Sequence, residues 1–228
     1  EDGDRRPVFV ALSGELAPLR QTAGQITLGV LVLGLGGLTT LGFALSFFLL
    51  ASDGAIIGQL QNGDSTPVEL AKPIALGLAA VQLLHEAAHA VQARRNGVRL
   101  ALPVLVPSLQ LGTFGCVTRL LCFPRNRTKL FDVAFAGPAA AFVASLLLYT
   151  AGILLTAGLP PMPMPTDANP VLGAGTPLAD LVPVAPVGLL QSSLLLGGIA
   201  EVLLPNLDGA LTTQLHPVAV VGFTGCLV

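Results

Sequence analysis

Apolar residues dominate the chain in stretches that are separated by short polar or proline-rich segments. Two of these stretches, residues 26–51 and 133–158, carry no charge and are long enough to cross a bilayer. A third runs from residue 73 to residue 93 and is polar only near its end. We expect all three to be membrane-spanning helices. The pattern therefore predicts an all-α polytopic membrane protein built as a transmembrane helix bundle.

The apolar stretches near the end of the chain are shorter or interrupted. Residues 187–204 contain Gln191 and Glu201, so two placements are open for them: across the bilayer or within its interface. The last stretch begins near Val218 and reaches the final residue, Val228. Fewer than about a dozen apolar residues do not cross a bilayer. We therefore expect incomplete C-terminal membrane segments and a chain that is a fragment of a longer protein.

The segment after the third apolar stretch has a different character. Gly97–Pro103 and Val104–Pro107 are predicted to be short extended pieces because proline interrupts them. Gln110–Gly115 is typical of a glycine-flanked turn, and Cys116–Leu120 of a short strand. We expect a small β-hairpin or re-entrant loop near the active site, with a simple interfacial loop as the alternative.

Small residues recur in the stretch that starts at Val133. Gly137, Ala141 and Ser145 are spaced four apart, so they form one smooth helical face. Such a face lets two helix backbones approach closely in a bilayer. We expect it to pack on the helix at 73–93, although generic small-residue packing is an equal alternative.

The pattern divides the chain into four regions. Residues 1–24 are an N-terminal polar segment, and residues 187–228 are the C-terminal membrane segments. Residues 25–158 form the membrane core, which holds the motif helix (73–93), a cationic loop (94–130) and the small-residue helix (131–158). Residues 159–186 contain eight prolines in 28 positions, which favours an extended linker without chemistry of its own.

Composition and charge agree with a membrane location. The chain is 53% hydrophobic and 11% charged, whereas a soluble domain carries about a quarter charged residues. Seven of its eleven basic residues lie between positions 94 and 129, a stretch without Asp or Glu: Arg94, Arg95, Arg99, Arg119, Arg125, Arg127 and Lys129. By the positive-inside rule this loop faces the cytoplasm or its organelle equivalent. Arg5, Arg6 and Arg20 place the N-terminus on the same side.

The sequence His85-Glu86-Ala87-Ala88-His89 carries the candidate chemistry. Histidines four apart lie on one helical face, so both imidazoles can reach one zinc ion, and Glu86 can accept a proton from a zinc-bound water. The alternative is a structural or degenerate site, because H-E-x-x-H also occurs by chance. The three cysteines, Cys116, Cys122 and Cys226, form no C-x-x-C pair and are expected to be free thiols.

Four sequence blocks, in this order and spacing, resemble the site-2 protease family of intramembrane zinc peptidases. The similarity is greatest to its plastid and cyanobacterial branch, the ethylene-dependent gravitropism-deficient and yellow-green type. The blocks are His85–His89, Ala93–Pro103, Pro107–Gly115 and Phe131–Pro138, and the similarity resumes at Leu215–Gly222. It covers residues 70–150 well.

The resemblance implies that His85 and His89 bind Zn²⁺ and that Glu86 is the catalytic base. The family's third ligand is an Asp in a later L-D-G motif. Leu207-Asp208-Gly209 has this form, but the Pro205–Asp208 spacing is short and Asp208 precedes the Leu215-His216-Pro217 block. We expect Asp208 to be a turn residue and the third ligand to lie beyond Val228. His216 is expected to be structural.

These features predict an intramembrane zinc metalloprotease that cleaves transmembrane segments of membrane proteins. Two alternatives remain: a proteolytically inactive scaffold or chaperone-like relative, and a metal-binding transporter. The resemblance implies a multi-pass protein of a chloroplast membrane, thylakoid or envelope, although a cyanobacterial origin fits nearly as well. The expected partners are the lipid bilayer and transmembrane substrates. The sequence indicates neither a nucleic-acid partner nor an oligomeric state.

Overall fold

The computed structural model describes residues 22–52, 54–122, 124, 126–159, 180–204, 207 and 211–228. Within these ranges the chain forms seven helices and two small antiparallel sheets. The helices are α1 (Ala23–Ala51), α2 (Ala55–Gln61), α3 (Thr66–Asn96), α4 (Arg127–Ala157), α5 (Val187–Gln191), α6 (Leu194–Leu203) and α7 (Pro217–Leu227). The strands are β1 (Val104–Ser108), β2 (Gly112–Val117), β3 (Val184–Pro186) and β4 (Thr212–Gln214). The predicted all-α class with a small hairpin is confirmed.

The three predicted spans correspond to α1, α3 and α4, which are long and apolar enough to cross a membrane. Local signals set their ends. The Thr22 side chain accepts a hydrogen bond from the Gln25 backbone at the start of α1, and the Asn126 side chain accepts one from Lys129 at the start of α4. Gly97 follows α3 with a left-handed φ of 68°, which a glycine adopts without strain.

The predicted start of the motif helix is wrong. Pro73 lies inside α3, seven residues after its beginning at Thr66. The earlier start signals prevail, because Pro67 occupies the first turn and the Asp64 carboxylate accepts a hydrogen bond from the Thr66 backbone N–H at 2.9 Å. Pro73 itself removes only one backbone donor from a long helix.

The predicted hairpin is present, but its turn lies earlier than expected. Strands β1 and β2 pair antiparallel from Val104 opposite Val117 to Ser108 opposite Gly112. The turn therefore occupies residues 109–111, and most of the segment predicted as turn is strand. Gly112, with φ 78°, allows the reversal there. In the predicted extended piece before Pro103, Leu100 forms an isolated bridge to Leu120.

The hairpin lies against the side of α1. The Thr39 hydroxyl donates a hydrogen bond to the Gly112 carbonyl at 2.6 Å. One turn earlier, Leu105 of β1 packs directly over Gly36. A hydrogen bond and a close apolar contact thus join the hairpin to the first span.

The apolar stretch at 187–204 is not one span. It divides into α5 and α6, because the Ser193 side chain accepts a hydrogen bond from the Leu196 backbone and starts a new helix there. A ten-residue helix such as α6 is about 15 Å long, half of a bilayer's hydrocarbon thickness. The Tyr149 hydroxyl of α4 donates to the Leu196 carbonyl at 2.9 Å and fixes α6 to the bundle.

Helices α3, α4 and α7 form the packed centre of the molecule. Glycines let α4 and α7 come into backbone contact, Gly152 against Ala219 and Gly222 against Tyr149. Buried residues of all three helices, together with residues of α1, make one continuous apolar core. This centre fixes the position of α3, the helix that carries the motif.

Most of the predicted linker, residues 160–179, lies outside the described residues, as do residues 1–21 of the N-terminal polar segment. The end of the linker region is not free chain, since Val184–Pro186 pair with Thr212–Gln214 as a small sheet. The division of the chain into four regions stays a prediction.

Candidate metal centre

His85 and His89 face the same direction from α3, as the four-residue spacing predicts. Their Nε2 atoms are 3.0 Å apart. The Nδ1–H of His89 donates a hydrogen bond to the Val133 carbonyl of α4 at 2.7 Å. This bond places the lone pair of His89 on Nε2, the atom that faces His85 and can bind a metal, and it fixes the orientation of the ring.

The spacing of these two nitrogens fits a zinc ion. Two ligands at tetrahedral angles, each about 2.0–2.1 Å from zinc, lie about 3.3 Å apart. The observed 3.0 Å is close to that value. Together with a Glu86 oxygen, the two nitrogens form a group within 4.8 Å of one another, which is a candidate metal site. Among the described residues no third protein ligand joins the two histidines apart from this carboxylate.

Two side chains hold the Glu86 carboxylate. The Thr118 hydroxyl donates to Glu86 Oε2 at 2.8 Å, and the Gln82 amide donates to Oε1 at 3.4 Å. A carboxylate with both oxygens engaged keeps one orientation beside the histidine nitrogens. Neither donor was predicted from the sequence. Gln82 has a signal, because it lies four residues before Glu86 on the same helix, whereas Thr118 is 32 residues away and has none.

The small-residue face of α4 is buried, and its first residue, Gly137, packs beneath the two imidazoles of α3, as predicted. Gly137, Ala141 and Ser145 are all buried. A methyl group added at Gly137 would come within 2.7 Å of His85 Cδ2 and would also meet the His89 ring. The absence of a side chain at Gly137 therefore provides the space in which the histidines lie.

A cavity of about 620 Å³ adjoins the carboxylate side of the site. Helix α1 contributes Leu33 and Gly37 to its wall, and α3 contributes Leu78 and Glu86. Apart from a few polar side chains the wall is apolar. An apolar chain segment in this cavity would reach the Glu86 carboxylate.

Cys116 of β2 also lines this cavity. Burial, reinforced by the nearby Glu86 charge, raises the pKa of the Cys116 thiol to about 11. The group is therefore protonated at neutral pH, and among the described residues Cys116 is not part of the candidate metal group. All three cysteines are free, which confirms the prediction.

The other candidate residues lie elsewhere. His216 precedes α7, where its Nδ1 accepts a hydrogen bond from the Val218 backbone at 3.3 Å, so it is a helix cap. Its predicted structural role is confirmed. Asp208 lies outside the described residues, and its assignment stays a prediction.

A protein family and several curated proteins match most of the chain. The model of peptidase family M50 matches residues 73–223. The chain is 35% identical over 159 residues to the probable zinc metalloprotease EGY1, chloroplastic, of Oryza sativa subsp. japonica, covering 69% of this chain and 24% of that protein. It is 32% identical over 159 residues to the EGY1 protein of Arabidopsis thaliana, covering 69% and 26%. It is 34% identical over 155 residues to the chloroplastic EGY2 protein of Oryza sativa subsp. indica, covering 68% and 25%.

The chain thus spans about a quarter of the length of these curated relatives. No solved structure matches it. The matches confirm the predicted family resemblance, and the names of the relatives agree with zinc as the expected cofactor. The chloroplastic relatives and the three apolar helices support a multi-pass chloroplast membrane protein.

Proposed function

The chain belongs to peptidase family M50, and we propose on this basis that it carries the zinc-binding part of an intramembrane metalloprotease. One observation carries the proposal. The Glu86 carboxylate is held by Thr118 and Gln82 beside the paired Nε2 atoms of His85 and His89. A general base next to two metal ligands is the arrangement that peptide hydrolysis needs.

In the proposed reaction His85 and His89 would hold Zn²⁺, with a third ligand from outside the described residues. When bound, the ion would supply the positive charge that lowers the pKa of a water towards neutral pH. Glu86 accepts the water proton while the water oxygen adds to the peptide carbonyl carbon. Glu86 then returns the proton to the amine nitrogen as the C–N bond breaks.

The proposed substrate is a transmembrane segment of another membrane protein, locally unwound at the cleavage bond. The cavity between α1, α3 and the hairpin supports this choice, because its wall is largely apolar and reaches Glu86. Strand β2 runs along the same cavity through Thr113 and Cys116. An extended substrate segment would hydrogen-bond to the backbone of a strand edge there.

Replacing Glu86 with Gln tests the proposal. We expect Glu86→Gln to lower cleavage of a reconstituted transmembrane peptide by about 10²–10⁴-fold, the usual contribution of a general base. Zinc content per chain should stay unchanged, since both histidines remain. Glu69→Gln is the matched control, because Glu69 lies on the same helix but is exposed and forms an ion pair with Lys72. Cleavage that survives Glu86→Gln would contradict the mechanism.

The two alternatives give other results in the same assay. A scaffold or chaperone-like protein would bind zinc without cleavage in any variant. A transporter would move metal across the vesicle membrane, and it requires polar groups along its path. Helix α1 has no charged residue between positions 23 and 51, and helix α4 has none between positions 133 and 157. This absence from the described helices disfavours transport.

A further inference from the structure

Six basic side chains gather at one end of the bundle. We name them the basic cap: Arg94, Arg95, Arg99, Arg119, Arg127 and Lys129. Five are exposed and Lys129 is half-buried. None of the six forms an ion pair with another described residue. No acidic residue occurs between positions 94 and 129. Asp132, one turn beyond Lys129 on α4, is the first acidic residue that follows, so this end of the protein presents an excess of positive charge.

A small apolar core organises the basic cap. Ala93 at the end of α3, Val98 beyond it and Val133 near the start of α4 are buried together, with Leu100 and Leu120 packed against them. The Leu100–Leu120 bridge places its neighbours Arg99 and Arg119 diagonally on one face of the paired segments. The cations are thus fixed near one another by folded structure.

The start of α4 adds positive charge to the same place. Arg127 and Lys129 occupy its first turn, which contains no acidic residue. The N-terminus of a helix already carries a partial positive charge, so cations there are unfavourable unless an anion lies nearby. Both features favour an anionic partner at this end.

Exposed apolar residues begin within two turns of these cations. Phe131 and Phe135 of α4 are stacked and more than half exposed. The six residues from Lys129 to Phe135 correspond to a rise of about 9 Å along the helix. Leu102 and Val117, two to three residues from Arg99 and Arg119, are also more than half exposed. With α4 across a bilayer, this spacing would place the basic cap at the depth of lipid headgroups.

We propose that the basic cap binds the headgroups of anionic lipids in the leaflet it faces. Charge complementarity requires an anion, and the depth beside exposed phenylalanines favours one that is attached to acyl chains. The proposal does not depend on proteolysis. It concerns residues that have no role in the proposed reaction.

Competitive lipid binding tests this proposal. The purified chain in detergent is given equal amounts of phosphatidylglycerol and phosphatidylcholine with identical acyl chains, and the lipids that remain bound are measured by native mass spectrometry. We expect phosphatidylglycerol to be enriched about tenfold or more, and salt at about 0.5 M to weaken the enrichment. Replacing Arg94, Arg95, Arg99 and Arg119 with Gln should remove most of it.

Two further variants keep the outcome interpretable. Lysine at the same four positions preserves the charge and should preserve the enrichment. The milder pair Arg99→Gln and Arg119→Gln should reduce it partially, even if the fourfold variant folds poorly. The proposal is overturned if the wild type binds both lipids equally or if the fourfold Gln variant keeps its preference. It is also overturned if soluble glycerol phosphate displaces phosphatidylglycerol, since the ligand would then be a free anion.

Discussion

Helices α1 and α4 are almost identical in hydropathy, yet they have different surroundings. Each has a mean hydropathy of 2.0 over an 18-residue stretch. Of the residues in that stretch, 33% are buried inside the protein in α4 and only 17% in α1. The glycines contribute to the difference. Gly137 and Gly152 of α4 lie against the histidine rings and the backbone of α7, whereas Gly36 of α1 meets only the Leu105 side chain and Gly34 and Gly37 have no neighbour within 4 Å.

The two helices therefore support opposite sides of the site by different routes. Helix α4 contacts the histidines directly, through the space at Gly137 and the Val133 carbonyl. Helix α1 supports the hairpin, and the residue that follows β2, Thr118, holds the Glu86 carboxylate. A change on the α4 side should affect metal binding, and a change on the α1 side should affect catalysis with metal still bound.

The largest effect is expected on the α4 side. Gly137→Ala places a methyl group within 2.7 Å of His85 Cδ2, so the imidazoles must move. We expect zinc affinity to fall by about 10–100-fold, as when the orientation of a ligand is lost, and cleavage to fall with it. Gly34→Ala is the matched control, because nothing lies within 4 Å of that position. Equal zinc affinity in the two variants would remove the distinction between the helices.

A smaller and more selective effect is expected at Thr118. Thr118→Val removes the 2.8 Å hydrogen bond to Glu86 without changing the side-chain shape. A hydrogen bond to a charged group contributes about 1.5–3 kcal/mol, so kcat should fall by at least about tenfold. Zinc content and KM should not change. Thr118→Ser keeps the hydroxyl and should restore activity, and a failure of this rescue would assign Thr118 a purely structural role.

The smallest effect is expected where α1 meets the hairpin. Gly36→Ala places a methyl group against the Leu105 side chain, whose Cγ would be 3.0 Å away. Leucine can change rotamer, so we expect a loss of about 1 kcal/mol in unfolding free energy, at the low end for overpacking. Thermal unfolding in detergent measures it, with Gly37→Ala as the unstrained neighbour. If Gly36→Ala lowered the unfolding free energy as much as Gly137→Ala does in the same experiment, α1 would pack as tightly as α4.

Some features followed from local patterns and others did not. The spans, the hairpin and the contact between the small-residue face and the motif helix were predicted, because hydropathy, proline and glycine act over short distances. The predicted start of α3 was wrong. The apolar stretch begins at residue 73, whereas Asp64 and Pro67 start the helix at Thr66. The break between α5 and α6 was not foreseen, since one serine cap decides it within an apolar stretch.

The sequence by itself determined the paired histidines and the carboxylate between them, because a spacing of four residues places His85 and His89 on one helical face whatever the rest of the chain does. Only the tertiary structure decided what surrounds these three side chains. In the sequence, Val133 is 44 residues from His89 and Thr118 is 32 residues from Glu86. Gly137 is 48 residues from His89, whose ring it contacts. Such contacts exist only after α4 and the hairpin have packed on α3, and no local propensity specifies them.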